Sequence, residues 1–239
     1  MLKNVFKIVI IFVVGMVGGI FATQIFWPYF IERPLFYKYD LDQQPINLTE
    51  ESVIYIEENE ALQEAALKVK NSIISVRTET KGGEVLEGSG LAVTSDGLIV
   101  TLNDLIPRGN DFLFSVEGKP ASYEVLKRDE GMNLALVRLK SSNLSTVGFA
   151  DLNQKQIGER VFLAGMLSDN ETGSYYSVNE GIISSLQGNA VKTNILENED
   201  MQGSSLFDIE GSLVGLVQIG PEGEVAAVPV SKIKEFIKI

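Results

Sequence analysis

The chain of 239 residues contains no histidine and no cysteine, and its 32 acidic and 20 basic residues give a formal charge of −12. A Ser-His-Asp triad and a Cys-His dyad both need an imidazole, so this composition excludes the two most familiar hydrolytic mechanisms. The absence of both residue types also removes most zinc, copper and iron sites. A carboxylate site for Ca²⁺ or Mg²⁺ remains possible, but the sequence has no calcium-binding loop motif to support one, so we expect no metal or cofactor. The acidic balance argues against nucleic acid as a partner.

The first predicted element is a membrane helix. The segment from Ile8 to Phe26 carries no charged residue, and at about 1.5 Å per residue it would span roughly 28 Å, close to the hydrocarbon core of a bilayer. Lys3 and Lys7 precede it, which predicts a cytoplasmic N-terminus over residues 1–7. We therefore expect a single-pass helix in the cell membrane over residues 8–27, with the rest of the chain outside. A cleaved signal peptide is the alternative interpretation.

A linker and a short helix come next. Residues 28–65 are interpreted as a juxtamembrane linker and the start of a helix, because the segment contains several prolines and lacks a sustained period. Residues 59–70 carry alanine and leucine at helical spacing, with Asn59 as the N-cap.

The remainder of the chain shows short β segments separated by turns. Ser95-Asp96-Gly97 and Glu210-Gly211 are turn signals between apolar runs, and residues 230–239 predict a short terminal helix. Many short strands without alternating helices indicate a closed all-β architecture. The predicted strands are 72–78, 89–93, 98–101, 121–129, 134–140, 160–166, 175–186, 204–209 and 212–219.

Three segments carry motifs in a fixed order. They read GSGLAVTSDGLIVTLNDLI over 88–106, DEGMNLALVRL over 129–139 and DMQGSSLFDIEGSLVGLVQI over 200–219. Together they resemble the HtrA/Deg family of trypsin-like serine proteases. Further matches to that family lie at 157–165, 178–186 and 226–237.

The resemblance covers residues 66–239. It implies an all-β, trypsin-like fold of two six-stranded Greek-key barrels, with an N-terminal transmembrane helix and short terminal helices. No PDZ-like region follows in the sequence, so we expect no PDZ domain. By resemblance to HtrA-like proteases, a homo-oligomer such as a trimer is also expected.

The resemblance places a substituted residue at each position of the catalytic triad. Asp104 stands at the histidine, Asn133 at the aspartate and Gln202 at the nucleophilic serine. Gly203 is retained, whereas Asp200 replaces the glycine whose amide helps to form the oxyanion hole. A carboxylate is a weaker base than imidazole, an amide is not a nucleophile, and an acidic group opposes a developing oxyanion. The resemblance therefore implies a pseudoprotease with no catalytic residue.

The leading hypothesis is a membrane-anchored, inactive protease homologue that binds protein or peptide segments outside the membrane. Proteases of this fold hold substrate as a strand added to a sheet edge. The resemblance puts that edge at Leu216, Val217, Gln218 and Ile219. An ordinary buried strand is the alternative interpretation of these four residues, and residue alternation does not separate the two.

Two other functions remain open. One is an active endopeptidase of protein quality control, in which Ser204 or Ser205 is a displaced nucleophile and Asp104 or a lysine is the base. Lys192 and Lys127 are the lysines to test, although the two serines are also interpretable as small turn residues. The other is a structural assembly subunit, or a regulator of an active protease paralogue.

Overall fold

The structure, a computed structural model, describes residues 2–22, 24, 60–169 and 173–238. The chain divides into two compact units, Met1–Tyr55 and Ile56–Ile239. In the first unit, helix α1 (Leu2–Phe21) is long and apolar enough to cross a membrane. The end of the predicted span 8–27, most of the predicted linker 28–65 and the predicted cap at Asn59 lie outside the described residues.

The second unit begins with a helix and then consists mainly of antiparallel strands. Residues 60–69 form helix α2, as predicted, and a 3-10 turn over Lys70–Ser72 leads into the first strand. The first group of strands is β1 (Ile73–Glu79), β2 (Val85–Ala92), β3 (Leu98–Leu102), β4 (Asp111–Val116), β5 (Lys119–Ala121), β6 (Tyr123–Asp129) and β7 (Leu134–Leu139). The second group is β8 (Arg160–Asp169), β9 (Gly173–Gln187), β10 (Ala190–Leu196), β11 (Ser205–Asp208), β12 (Leu213–Ile219) and β13 (Glu224–Pro229).

The first group forms a seven-stranded sheet in the order β5-β4-β1-β2-β3-β7-β6. Strands β5 and β6 flank Ser122 in the sequence, yet they lie at opposite ends of the sheet. The sheet is therefore curled into a half-barrel. The trypsin-like architecture predicted for this half is confirmed as a half-barrel, in which one segment changes partner from β4 to β7 at Ser122.

The second group forms a closed six-stranded barrel in the order β10-β13-β12-β11-β8-β9, which confirms the prediction for this half. The long hairpin of β8 and β9 pairs in register from Arg160 opposite Ile182 to Asp169 opposite Gly173. Alternating apolar residues fill the interior, as expected for strands with one buried face. They include Val161, Leu163, Ile183, Leu206, Val214 and Val217.

A continuous apolar core joins the half-barrel to the outer surface of the barrel. Phe114 and Leu134 of the sheet belong to the same buried cluster as Phe162 and Phe207 of the barrel. The C-terminal helix α3 (Val230–Ile237) adds Val230, Ile233 and Phe236 to this cluster. Two polar contacts cross the same boundary, from Ser75 Oγ to Ser168 Oγ at 2.7 Å and from Met166 N to Ser89 Oγ at 2.9 Å.

Candidate functional site

A cavity of about 1040 Å³ lies between the half-barrel and the barrel. Asp104, Asn133 and Gln202 all line it. They follow β3, precede β7 and precede β11, so the fold brings together three residues that are distant in sequence. The three residues that the sequence motifs single out therefore lie at one cavity.

The wall formed by the sheet is organised by Asn133. This residue has φ 54°, a left-handed conformation that asparagine tolerates better than most residues. Its Oδ1 accepts the backbone N–H of Asp104 at 3.1 Å, and its carbonyl accepts the N–H of Asn103 at 3.1 Å. Asn133 thus holds the backbone of Asp104, while the Asp104 residue is exposed to solvent.

The wall formed by the barrel is organised by Gln202. Its Nε2 donates to the carbonyl of Ile219 at 3.0 Å, and the N–H of Ile219 donates to Gln202 Oε1 at 3.1 Å. Both distances lie within the normal range for N–H···O hydrogen bonds. The side chain of Gln202 is therefore occupied by the backbone of β12.

The backbone N–H and C=O groups of Gln202 are also engaged in hydrogen bonds. Residues Glu199–Met201 form a 3-10 turn, and the N–H of Gln202 donates to the carbonyl of Glu199 at 3.0 Å. The carbonyl of Gln202 accepts the N–H of Ser89 at 2.9 Å. The Gln202 N–H consequently points at a carbonyl of its own turn, whereas an oxyanion hole needs donors that point at the reacting oxygen.

Gly203 is required by its backbone conformation and by its surroundings. Its φ is 70°, and a Cβ at this position would overlap the carbonyl oxygen of Ser89 and the side chain of Leu105. Its N–H donates to the carbonyl of Val217 at 2.9 Å. The glycine that the motif retains therefore has a structural role in seating this loop between β2 and β12.

The predicted binding edge at Leu216–Ile219 is not an open edge. Leu216 pairs with Ser205 on one side and with Val228 on the other. The N–H of Val217 donates to the carbonyl of Ser204 at 2.8 Å. Barrel closure pairs one side of β12 with β13, and the chain from Gln202 to β11 covers the other side, so peptide binding by these four residues stays a prediction.

The individual residues of that segment differ in exposure. Leu216, Val217 and Ile219 are buried, as the alternative interpretation of an ordinary strand predicts, and Gln218 is partly exposed. Gln218 and Ile219 line the cavity. Only this end of β12 therefore contributes to the site.

The proposed alternative nucleophiles do not line the cavity. Ser204 and Ser205 are both completely buried. Ser204 Oγ lies 4.0 Å from Met201 Sδ, and Ser205 Oγ is without a hydrogen-bond partner among the described residues. Of the two lysines, Lys192 lines the cavity, whereas Lys127 donates to the carbonyl of Phe236 at 2.8 Å.

An unpaired strand edge lies on the opposite wall, and the sequence analysis missed it. Strand β2 pairs with β1 along its whole length, but β3 pairs only with Gly90, Leu91 and Ala92 of β2. Val85, Leu86 and Glu87 line the cavity and, within the described residues, have β1 as their only strand partner. The sequence pattern predicts a strand from residue 89 onward, whereas β2 begins four residues earlier, at Val85.

The charges around the cavity are unequal. Two basic residues, Arg77 and Lys192, line it, and Arg77 is paired with Glu87 at 2.7 Å. The acidic residues of the lining are Glu84, Glu87, Asp104, Glu199, Asp200 and Glu224. Among the described residues, no group of three or more acidic side chains is arranged to hold a metal ion.

Comparison with known proteins identifies the family. The sequence model described as the trypsin-like peptidase domain matches residues 88–216. The chain is 25% identical over 138 residues to the probable periplasmic serine endoprotease DegP-like of Halomonas elongata, covering 54% of this chain and 28% of that protein. It is 28% identical over 140 residues to the serine endoprotease DegS of Haemophilus influenzae, covering 54% of this chain and 40% of that protein.

A solved structure supports the same fold. The HtrA-type protease AlgW with tripeptide superimposes with a TM-score of 0.64 at 18% sequence identity, covering 74% of this chain and 62% of that one. This similarity confirms the predicted trypsin-like fold. The chain spans less than half the length of the two curated relatives named above. Taken with the motifs and the cavity, these matches show that the chain belongs to the family of trypsin-like peptidase domains, of the HtrA/Deg type.

Proposed function

We propose that this chain is a non-catalytic member of its family that binds extended polypeptide segments in the cavity. The observation that carries the proposal is the state of Gln202, which stands where the family has its serine. Its side-chain amide is bonded to Ile219 and its backbone N–H to Glu199. A nucleophile and an oxyanion donor are therefore both missing from one position.

The proposal also holds that the cavity has no general base in position and no favourable site for the oxyanion. A general base must lie within hydrogen-bond reach of the proton that it removes. Asp104 and Gln202 line the same cavity, but Gln202 has no hydroxyl to activate, and the buried Ser204 and Ser205 are not part of the lining. Asp200 adds an acidic group to the cavity, where it would repel the negative charge of a tetrahedral intermediate.

Binding is supported by the free edge of β2. Edge strands with unpaired backbone groups recruit extended peptides as an additional strand. Ser89 directs its N–H away from β1, toward Gln202, and because strand residues alternate with a period of two, Glu87 and Val85 direct their backbone groups to the same side. The cavity volume suits a short segment. Relatives named as endoproteases, and a related structure solved with a tripeptide, are consistent with such a ligand.

The charge of the cavity favours cationic ligands. A surface of one sign attracts segments of the opposite sign and accelerates their association. We therefore propose segments that carry lysine or arginine as the preferred ligands. Helix α1 is proposed as a signal anchor, with the trypsin-like domain outside the cytoplasm, since the curated relatives include proteins named as periplasmic.

The absence of hydrolysis is tested with the whole chain in detergent micelles. A mixture of unfolded proteins is incubated with it, and new N-termini are sought by mass spectrometry. Asp104→Ala, Ser204→Ala and Ser205→Ala serve as comparison variants. We expect no cleavage above these variants. Cleavage by the wild type that one of the substitutions abolishes would overturn the proposal.

The binding edge is tested with a fluorescent peptide of alternating valine and lysine. Glu87→Pro removes one outward N–H and should weaken binding about tenfold. Glu87→Ala removes the ion pair with Arg77 but keeps the N–H, so it is the matched control. Equal binding by the proline and alanine variants would exclude strand addition at β2.

A further inference from the structure

On one side of β12, the backbone groups are hydrogen-bonded partly to other backbone groups and partly to a side chain. Val217 and Ile219 alternate along the strand and direct their N–H and C=O groups to the same side, away from β13. The groups of Val217 are bonded to the backbone of Ser204 and Gly203, at 2.8 and 2.9 Å. The groups of Ile219 are bonded to the side chain of Gln202, at 3.1 and 3.0 Å. The ladder therefore changes from backbone to side chain at Ile219.

The side-chain amide of glutamine can replace a peptide group at this position. It offers one carbonyl acceptor and an N–H donor, which are the groups that a neighbouring strand would offer. The backbone itself does not reach Ile219, because the chain turns away into the 3-10 turn at Glu199–Met201. Gln202 thus extends the ladder by one residue into the cavity.

We propose that Gln202 is an internal competitor for a strand-pairing position at Ile219, which an extended polypeptide occupies by displacing the amide. This inference rests on the proposed function, because it concerns how the same cavity is regulated. Displacement moves only a side chain. The backbone of Gln202 stays bonded to Ser89 and Glu199, at 2.9 and 3.0 Å, so the loop is held while the amide rotates away.

The competition lowers the affinity of the empty cavity for its ligand. When the binding-competent state is only partly populated, the apparent dissociation constant rises in proportion. Removing the amide should therefore strengthen binding. Since the net contribution of two neutral hydrogen bonds is modest, we expect an increase of about threefold to tenfold.

The experiment compares variants of the whole chain in detergent micelles, with the fluorescent valine–lysine peptide as the probe. Gln202→Met keeps the length of the side chain and removes both hydrogen bonds, and Gln202→Asn keeps the amide but shortens its reach. Gln187→Met makes the same chemical change at an exposed residue of β9, outside the cavity lining. Both Gln202 variants should bind the peptide more tightly than the wild type, and the Gln187 variant should not.

Amide hydrogen exchange at Ile219 provides a second readout that needs no ligand. The Ile219 N–H should exchange faster in both Gln202 variants, and saturating peptide should slow it again. The N–H of Val217 is held by Ser204 and should be unchanged, which also shows that the loop is intact. If the Val217 N–H exchanges faster in Gln202→Met, the loop is disturbed in that variant. The test then uses the peptide affinity and the Ile219 exchange rate of Gln202→Asn.

The outcomes separate the two proposals. Tighter binding by the Gln202 variants, with renewed protection of Ile219, supports the inference. If the wild type binds the peptide and the Gln202 variants bind it equally or more weakly, the competitor role is overturned and the proposed function is left intact. Absence of peptide binding in every variant, including the wild type, overturns the proposed function and the inference with it.

Discussion

The two walls of the cavity differ in whether their backbone N–H and C=O groups are paired. The sheet wall leaves the Val85–Glu87 edge of β2 without a second strand partner among the described residues. The barrel wall covers β12 completely, by β13 on one side and by the segment from Gln202 to β11 on the other. The free stretch of β2 arises because this strand extends beyond the end of β3, whereas the strands of the closed barrel have a neighbour on each side. We therefore expect the ligand to add to the free edge of β2 on the sheet wall, and to pair at Ile219 on the barrel wall only after it displaces the Gln202 amide.

The largest effect is expected from a substitution that prevents the Gln202–Gly203 loop on the barrel wall from packing between β2 and β12. Gly203→Ala places a Cβ against the carbonyl of Ser89 in a left-handed conformation. We expect a loss of about 3 kcal/mol in the free energy of unfolding, from strain and overlap together. Urea denaturation of the whole chain in micelles measures it. Gly188→Ala, at a turn where a Cβ meets no atom within 4 Å, is the control and should change stability little. A similar loss in both variants would contradict the argument.

The sheet wall is tested at Asn133, with a smaller expected effect. Asn133→Ala loses the hydrogen bond to the Asp104 N–H and forces alanine into a φ of 54°. We expect a destabilisation of about 2 kcal/mol. Asn133→Gly loses the same hydrogen bond but accepts the conformation, so about half of that effect should remain. Equal destabilisation by the two variants would show that backbone strain has no part in it.

We expect the contact between the barrel and helix α2 to depend on pH through Tyr176. Its hydroxyl donates to the carbonyl of Ala66 at 2.7 Å, and burial raises its pKa to about 12. An unfolded chain loses this proton near pH 10, so between about pH 10 and 12 the folded state retains a proton that the unfolded state has lost. Stability should therefore fall as the pH rises through this window.

This contribution is measured by denaturation at a series of pH values. Tyr176→Phe should remove part of the slope, about 1 kcal/mol over the window after allowance for the partial exposure of the ring. Tyr175→Phe, on the same strand and 45% exposed, is the matched control. An identical pH dependence in the wild type and in Tyr176→Phe would exclude this group as the cause.

The smallest expected effect concerns which wall attracts a cationic ligand. Glu84 belongs to the sheet side of the cavity and Glu224 to the barrel side. Replacing either by glutamine should weaken binding of the valine–lysine peptide about twofold, and added salt should reduce the difference. Glu235→Gln on α3, outside the cavity lining, is the control. Equal affinity for a valine–glutamate peptide would mean that charge does not select the ligand.

Much of the fold was predictable because its patterns are local. Strands such as β7 and β12 are marked by continuous apolar runs, and the terminal helix by the spacing of Val230, Ile233 and Phe236. Strands β4, β5, β10 and β13 were missed, since they are short or lack a clear alternation. The break at Ser122, which opens the first sheet, depends on a change of partner that residue patterns do not show.

The candidate site was predictable in position but not in its contacts. The motifs placed Asp104, Asn133 and Gln202 together, and all three line one cavity. The strand predicted to bind peptide instead has partners on both sides, and the open edge lies on β2. Which side of a strand is paired depends on its tertiary neighbours. An apolar run such as Leu216–Ile219 therefore has the same sequence pattern whether the strand is paired on both sides or has an open edge.

The 3-10 turn at Glu199–Met201 sets a limit on protein engineering. A designer who follows the proposed correspondence with the family would place serine at Gln202, histidine at Asp104 and aspartate at Asn133, and would expect an enzyme. The N–H of residue 202 would still be directed at the Glu199 carbonyl, so a tetrahedral intermediate would form without that donor. Three side-chain replacements would restore the appearance of a triad, whereas turnover would also require the peptide plane between residues 201 and 202 to reorient.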